Sequence, residues 1–303
     1  MSAKISSPTG KQYPDGLRGV FGCVRALIFA GNSDFPAVPG TGFLLKLFGE
    51  IFFVTARHAV DNHGFDLRHL AVTYSEQNNR CIPFDEVRTF SSVDPDDTDH
   101  VDIIVLKANS SKLKHELFAS DLPFDFTADA VVRVYQSGML LHFKGVAPEQ
   151  NDFDYENKKY TVEYAAGDMY YEAPTSSRAV HLATAKVNRD CPDFDGMSGS
   201  PVFWVANIDQ TATDAKFAGM LLRGARKNSI LHFMEAECVT NFLLGFFLDG
   251  LTPVEAEAKI ENLLKWHLPD IGRRYRSGYI FRYEQKWMLP TYHFPSNLPG
   301  VHN

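Results

Sequence analysis

Short segments rich in Val, Ile, Phe and Thr alternate with turn signals from about residue 19 to residue 236 of this 303-residue chain. Strands of about four to eight residues have this composition, whereas helices need longer stretches with apolar residues at helical spacing. Residues 51–56, 131–136 and 201–205 are three of the segments that we interpret as strands. The pattern therefore predicts an all-β fold built from many short strands.

Two helices are predicted after the last strand. The first begins near Ala236, places apolar side chains at helical spacing and ends at Asp249-Gly250. The second begins at Thr252, which is a good N-cap, and Glu255 stands three residues later in a capping-box arrangement. The tail that follows is rich in aromatic residues, and we expect it to pack back on the strands, because exposed aromatic patches are uncommon on monomers.

The charge balance argues against nucleic acid as a partner, and the length of the apolar stretches argues against a membrane. The net charge is -7, whereas nucleic-acid binding depends largely on Lys and Arg that neutralise phosphates. The basic group Arg273, Arg274 and Arg276 is interpreted as solvated surface. The apolar stretch at residues 242–248 is far shorter than the roughly 20 residues that span a bilayer. We therefore expect neither nucleic acid nor membrane as a partner.

The cysteines and the first residues predict a cytoplasmic location. Residues 1–15 are polar and lack the apolar stretch of a secretory signal peptide. Cys23, Cys81, Cys191 and Cys238 are widely scattered, with no CxxC pair and no zinc spacing. We expect free thiols in a reducing compartment, without a disulfide framework or a structural metal.

The segment Gly-Met-Ser-Gly-Ser-Pro at residues 196–201 places a serine between glycines and leads into an apolar stretch. A serine that attacks a carbonyl needs a sharp turn, so that Oγ projects outward and backbone N–H groups converge on the developing negative charge. Glycine permits the φ values and the close approach that such a turn requires. Ser198 is therefore a candidate nucleophile; the alternative is a Gly-rich β-turn that only opens a strand.

His58 follows directly on the apolar stretch at residues 51–56. Imidazole, with an unperturbed pKa of about 6.5, is well suited to act as a general base near neutral pH, and the end of a strand fixes where the ring points. Gly40 and Gly42 lie in a preceding Gly-Thr-Gly-Phe segment. These glycines fit either a close approach of the chain near an active site or a turn that opens a hairpin.

Asp102 opens the apolar segment at residues 102–106, and the family resemblance given in the next paragraph implies that it is the acid that orients the base. Its nearest competitor is Asp99, in the acidic run at residues 94–99. That run lacks the Gly and Glu positions of an EF-hand calcium loop, so we interpret it as a solvated loop.

These segments resemble the chymotrypsin- and trypsin-like serine peptidases. Residues 196–201 resemble the family's Gly-x-Ser-Gly-Gly-Pro, with Ser200 replacing the second interior Gly as in many bacterial and viral members. Residues 55–58 resemble its Thr-Ala-x-His, and residues 102–106 resemble its Asp-Ile-Ala-Leu-Leu. The order His, Asp, Ser, with gaps of 102 − 58 = 44 and 198 − 102 = 96 residues, differs from the subtilisin and α/β-hydrolase orders.

The resemblance implies a fold of two six-stranded antiparallel β-barrels, at about residues 19–125 and 126–236, within a peptidase domain at 19–248. An N-terminal arm at 1–18 would precede this domain, and a C-terminal extension at 249–303, helical and rich in aromatic residues, would pack on the barrels. The implied roles are nucleophile for Ser198, general base for His58 and orienting acid for Asp102, with the backbone N–H groups of Gly196 and Ser198 as the oxyanion hole. No cofactor or metal is expected.

The chain departs from the family at two positions near these residues. Met197 stands where trypsin-like zymogens have the aspartate that pairs with a newly cut N-terminus, and Ala59 stands where secreted animal members have a cysteine. We therefore expect a non-secreted variant whose activity is controlled by something other than N-terminal insertion, such as the ordering of a loop by a partner.

The sequence allows two interpretations of the pocket that would bind the substrate side chain. Asp193 in the pocket would favour a basic substrate side chain, whereas Pro192 with Ser229 would favour a small or apolar one. Residues 217–224 resemble the strand that pairs with the substrate backbone, and Arg223 would favour acidic side chains at other subsites. The candidate substrate-binding residues are Pro192, Asp193, Leu222, Arg223, Gly224 and Ser229.

The sequence as a whole predicts a serine endopeptidase that cleaves a protein or peptide through an acyl-enzyme, with a regulatory protein as a further candidate partner. Two alternatives remain. One is a catalytically silent or latent protease-like module that binds a partner through its C-terminal extension, because a fold does not fix a function. The other is an esterase that uses the same three side chains.

Overall fold

The computed structural model of the chain describes residues 15–29, 36–61, 66–75, 78–89, 102–119, 121–126, 130–147, 149, 151–154, 159–175, 180–186, 194–206, 215–225, 229–248, 251–252, 254–255, 258–259 and 291–293. The helices are α1 (Asp15–Phe21), α2 (His58–Asp61) and α3 (Ala236–Leu248), with short 3-10 helices at Leu67–His69 and His115–Phe118.

The strands of the first half and of the C-terminal end are β1 (Val24–Phe29), β2 (Ala37–Leu47), β3 (Glu50–Thr55), β4 (Leu70–Ala71), β5 (Thr73–Ser75), β6 (Asn78–Cys81), β7 (Phe84–Thr89), β8 (Ile104–Ala108), β9 (Phe124–Asp125) and β18 (Thr291–His293). Those of the second half are β10 (Leu140–Val146), β11 (Asp152–Asp154), β12 (Lys159–Thr161), β13 (Tyr164–Pro174), β14 (Val180–Lys186), β15 (Pro201–Val205), β16 (Ala215–Ala225) and β17 (Ile230–Glu235).

Six strands of the second half close into a barrel in the order β10-β13-β14-β17-β16-β15, and β15 pairs back with β10. We call this structure the second barrel. Its pairings are antiparallel, and its core contains alternate residues of β10, Leu141 and Phe143. Closure leaves these six strands without a free edge along most of their length.

The first half forms a curled sheet, the first sheet, in the order β18-β7-β8-β3-β2-β1-β4, and β9 adds a short parallel pair with β2. The central strand β3 is buried on both faces. Phe52 and Val54 belong to a core shared with the second barrel, whereas Ile51 and Phe53 belong to the first sheet's own core. Among the described residues the first sheet stays open, since its edge strands β18 and β4 do not pair with each other.

The prediction of an all-β fold with two strand units is confirmed, and the second unit is a closed six-stranded barrel, whereas the first is a curled open sheet among the described residues and not a closed six-stranded barrel. The strand predicted at residues 131–136 is wrong. Only Val131 forms a bridge, to Phe217, and the chain then runs over the surface, with Val134 66% exposed. Val132 is still buried in the core of the second barrel, and its N–H donates to the Phe217 carbonyl at 2.8 Å, but no strand pairing follows. The sequence pattern predicted neither α1 nor β10, whose Leu-Leu-His-Phe-Lys-Gly-Val mixes polar and apolar side chains.

Helix α3 follows β17 without a break, as the sequence predicts, and it carries aromatic side chains onto the first sheet. Phe246 meets Phe52 edge to face at 5.2 Å between ring centroids, and Phe247 meets Phe48 at the same distance. The predicted capping box is also present beyond α3. The Thr252 N–H donates to the Glu255 carboxylate at 2.9 Å, and the Glu255 N–H approaches the Thr252 hydroxyl at 3.4 Å.

Candidate active site

His58 and Asp102 come from neighbouring strands of the first sheet. His58 begins α2 just after β3, and Asp102 lies just before β8. Because β3 and β8 are antiparallel, with Thr55 opposite Ile104, their register brings the two side chains to the same edge. Asp102 Oδ2 lies 2.6 Å from His58 Nδ1, and Asp102 Oδ1 accepts the backbone N–H of His58 at 2.8 Å. The carboxylate therefore fixes both the ring and its backbone.

Ser198 reaches the same place from the second barrel, in the loop that precedes β15. Its Oγ lies 2.8 Å from His58 Nε2. The loop is held by short backbone bonds: the Ser200 N–H donates to the Met197 carbonyl at 2.9 Å, and the Thr41 N–H donates to the Ser198 carbonyl at 3.1 Å. The structure thus brings together the three side chains for which the sequence predicts nucleophile, base and acid.

The Ser198 hydroxyl has two acceptors and one proton. Because a carboxylate only accepts, Nδ1 of His58 carries the proton beside Asp102, and in a neutral ring Nε2 is then an acceptor. The carbonyl oxygen of Leu222 lies 2.7 Å from Ser198 Oγ, about as close as Nε2. Nucleophilic attack needs the proton on the Nε2 side, so any donor that occupies the Leu222 carbonyl would favour the reactive arrangement.

The two backbone N–H groups predicted as the oxyanion hole lie in consecutive turns. The Met197 N–H donates to the Phe194 carbonyl at 3.1 Å, and Gly196, the third residue of this turn, has φ of 78°. A positive φ at the third residue, without one at the second residue Asp195, defines a type II turn. Within the described part of the chain, the N–H groups of Gly196 and Ser198 donate to no protein acceptor, so both are available to a bound oxyanion.

Glycine at positions 40 and 199 allows the two halves of the chain to meet at this site. Gly199 has φ of 88°, and a Cβ there would collide with the Thr41 carbonyl oxygen. A Cβ on Gly40 would lie 3.3 Å from the Ser198 carbonyl oxygen. The close approach that the sequence predicts as one reading of Gly40 is therefore present.

Strand β16 offers a free edge beside Ser198. Its pairing with β15 ends at Met220, opposite Pro201, whereas its pairing with β17 continues to Ala225. Leu221 still bonds to the loop before β15, through its N–H to the Ser200 carbonyl and its carbonyl to the Gly199 N–H, whereas no strand of the described residues pairs with residues 222–225 on that side. An extended peptide can add to such an edge as a further strand through main-chain hydrogen bonds, and the Leu222 carbonyl already points towards the nucleophile.

The structure describes four of the six residues that the sequence predicts to bind substrate. Arg223 and Gly224 are exposed in the part of β16 beyond its pairing with β15, and Leu222 is buried with its carbonyl at Ser198. Ser229 lies just before β17 with a positive φ of 53°. Pro192 and Asp193 lie outside the described residues, and so does Asp99, the competitor of Asp102.

Two residues near the site carry contacts that the sequence did not predict. The ring of Phe194 lies 3.2 Å from where a Cβ of Gly224 would stand, so it closes the space beside the free edge. Thr41 is fully buried and bonds through both its hydroxyl and its N–H to the loop at residues 194–200. We call this segment the nucleophile loop, after the role that the sequence predicts for Ser198. The neighbouring residues Gly40 and Gly42 were the only sequence signal at this position. They predicted a close approach of the backbone and no contact of the Thr41 hydroxyl.

The described part of the chain contains neither a metal-binding cluster nor a helix that could span a membrane. Among the described residues, no group of three or more His, Cys, Asp or Glu side chains is arranged to hold a metal ion. The helices of the described ranges include none with the length and apolar character required to cross a membrane.

Comparison with known proteins gives matches at the level of structure. No family model and no curated protein matches the chain. A mutant of human heparin binding protein is 11% identical, with 77% of this chain and 94% of that chain covered and a TM-score of 0.50. An inactivated protease paralogue of the scabies mite is also 11% identical, with 80% and 98% covered and a TM-score of 0.50. The VesB protease of Vibrio cholerae is 11% identical, with 78% and 66% covered and a TM-score of 0.49.

The chain therefore has the fold of the chymotrypsin-like, serine-protease-like proteins. This finding confirms the predicted fold class, with the open first sheet and the closed second barrel in the places of the two barrels. At identities this low the likeness concerns the fold alone.

Proposed function

We propose that this chain is a serine endopeptidase in which Ser198, His58 and Asp102 act as nucleophile, general base and orienting acid. The observation that carries the proposal is the continuous hydrogen-bonded series from Asp102 through His58 to Ser198, with distances of 2.6 and 2.8 Å. Its members come from two different sheets. A protein that used the fold only as a scaffold would not need this geometry.

The mechanism follows from these contacts. Ser198 Oγ attacks the carbonyl carbon of the scissile peptide while His58 Nε2 takes the hydroxyl proton, and the imidazolium then gives that proton to the leaving amine. Asp102 stabilises the imidazolium and does not take up the proton. The N–H groups of Gly196 and Ser198 hold the oxyanion. A water molecule, deprotonated by His58, then attacks the acyl-enzyme, which releases the carboxylic acid product and restores the free serine.

The free edge of β16 supports an extended peptide as substrate. An added strand beside residues 222–225 would place a backbone N–H against the Leu222 carbonyl. That N–H would compete with the Ser198 hydroxyl for the Leu222 carbonyl and so favour the arrangement in which the hydroxyl donates to His58. Unfolded segments and exposed loops of other proteins are therefore the substrates that we propose, and Arg223 on this edge favours acidic side chains nearby.

The buried Met197 supports a control that differs from N-terminal insertion. Its side chain is fully buried in the core of the second barrel. The nucleophile loop is thus anchored by apolar packing, at the position where a trypsin-like zymogen needs a carboxylate to receive a new N-terminus. We propose that substrate or a protein partner controls this chain through the loops around the site.

The scabies mite neighbour named an inactivated protease paralogue favours a second candidate, a module of the same fold that binds without cleaving. Labelling of the full chain with a fluorophosphonate probe separates the two. We expect wild type to react and Ser198→Ala not to react, whereas Ser137→Ala, which changes an exposed serine in the turn before β10, should react like wild type.

An unlabelled wild type would favour the binding module, and labelling that persists in Ser198→Ala would overturn the nucleophile assignment. Turnover of matched peptide and ester substrates by the labelled protein then separates a peptidase from an esterase.

A further inference from the structure

Thr41 joins three parts of the molecule at one buried point. It lies in β2 of the first sheet and is fully buried. Its hydroxyl donates to the Gly196 carbonyl at 2.7 Å and accepts the Val146 N–H of β10 at 2.7 Å. Its backbone N–H donates to the Ser198 carbonyl at 3.1 Å. One threonine thus ties the first sheet to the nucleophile loop and to the second barrel.

These bonds fix the peptide groups on both sides of an oxyanion donor. The Ser198 N–H belongs to the peptide between Met197 and Ser198. The preceding peptide presents the Gly196 carbonyl to the Thr41 hydroxyl, and the following peptide presents the Ser198 carbonyl to the Thr41 N–H. Because peptide groups are planar and trans, holding the two neighbours limits the rotation of the peptide between them.

Thr41 is itself held in place. Its carbonyl accepts the Thr55 hydroxyl at 2.6 Å, and Thr55 is fully buried at the end of β3, three residues before His58. The same contacts therefore connect the strand that leads to the base with the loop that carries the nucleophile. The distance between the two halves of the site is set through Thr41.

We propose that Thr41 is a positioning residue for the oxyanion hole, acting through its hydroxyl on the loop at residues 196–198. This inference rests on the proposed function. Replacing the hydroxyl by a methyl group would leave the Gly196 carbonyl and the buried Val146 N–H without their partner, and a loop in that state rearranges to satisfy them. The N–H groups would then no longer converge on the developing charge.

The test measures the rate of phosphonylation of Ser198 by a fluorophosphonate probe, resolved into the maximal rate kinact and the binding constant KI. The phosphoryl oxygen of the probe occupies the oxyanion position, so kinact reports on the hole. For Thr41→Val we expect kinact to fall roughly tenfold or more, since loss of a direct oxyanion donor costs 10²–10³-fold, with KI little changed. Thr41→Ser keeps the hydroxyl and should restore most of kinact.

Thr240→Val is the matched control. Thr240 is also buried and donates its hydroxyl to a backbone carbonyl, that of Ala236 in α3, at 2.7 Å, but it lies away from the loop. Its variant should lose thermal stability as Thr41→Val does and keep the wild-type kinact. If Thr41→Val does not fold, Thr41→Cys replaces it, because a thiol is a weak donor and acceptor.

Three results would overturn the inference. Equal kinact in wild type and in a folded Thr41→Val or Thr41→Cys would do so and leave the proposed function intact. Equal losses in Thr41→Ser and Thr41→Val would show that the hydroxyl is not what matters. A wild type that does not react would overturn the proposed function and this inference with it.

Discussion

Gly196 occupies the third position of a turn whose geometry decides where its N–H points. Type I and type II turns differ by a flip of the central peptide, here the one between Asp195 and Gly196, and type II needs a positive φ at the third residue. Gly196 has φ of 78°. The direction of this N–H, which we propose as an oxyanion donor, is therefore set by the absence of a side chain.

Gly196→Ala should keep the fold and lose reactivity. An alanine at this φ costs roughly 1–2 kcal/mol, which a flip to type I would relieve. The flip turns the donor away, and the loss of one oxyanion donor lowers the rate about 10²–10³-fold. Phosphonylation kinetics, measured beside the thermal unfolding midpoint, would show the predicted separation of rate from stability.

The chain provides a matched control for this substitution. Gly138 is the third residue of the turn in which the Met139 N–H donates to the Gln136 carbonyl, and its φ is 82°. Gly138→Ala introduces the same strain at an exposed position away from the site, where a Cβ meets nothing within 4 Å. It should lower the midpoint and leave the rate alone; equal rate losses in both variants would contradict the assignment of Gly196.

At the scale of elements, α3 fastens the end of the second barrel to the first sheet. Its Phe246 ring lies 5.2 Å from the ring of Phe52, and the guanidinium of Arg88 in β7 lies 4.1 Å from the Phe246 centroid. Aromatic pairs and cation–π contacts of this kind each add stability beyond simple burial. The helix therefore joins elements that the strand pairing leaves separate.

Phe246→Ala should lower the free energy of unfolding by about 2–3 kcal/mol, somewhat less than for a fully buried phenylalanine because the ring is half-buried. Val254→Ala is the control, since Val254 is 76% exposed and surface changes stay within about 0.5 kcal/mol. Urea unfolding measures both. A change below 1 kcal/mol in Phe246→Ala would show that α3 does not fasten the two halves.

Features of the fold and of the site were predictable from the sequence where the interacting residues are close together along the chain. Strand composition, the Thr252 capping box and the segments around Ser198 and His58 are local patterns, and each was readable from a few neighbouring positions. The Thr41 hydroxyl bonds to a carbonyl 155 residues away, and no local pattern announces such a contact. The Leu222 carbonyl is a backbone group that every residue has, so its approach to Ser198 has no signature at all.

At the scale of the whole molecule, one core joins both halves. It includes Phe43 and Phe52 of the first sheet, Phe203 and Phe217 of the second barrel, and Leu243 of α3. Buried apolar surface shared in this way makes separate melting of the halves unfavourable, because either half alone would expose it to water. The two sheets should therefore behave as one cooperative unit.

We expect a single unfolding transition in urea, with circular dichroism and loss of fluorophosphonate labelling at the same midpoint. The signals coincide because the site forms across the junction that the core holds. Ser198→Ala should share the midpoint in circular dichroism. Two transitions, with labelling lost in the first, would contradict the shared core.

The division of the site between the two halves has a consequence during synthesis. The proposed base and acid, His58 and Asp102, leave the ribosome with the first half, whereas the proposed nucleophile Ser198 is added 96 residues after Asp102 and would be in place only once β15 and β16 have docked. A growing chain with these proposed roles would carry no complete catalytic site while its own unfolded segments, and those of its neighbours, are most exposed. Translation order would protect the cell until the protein is finished.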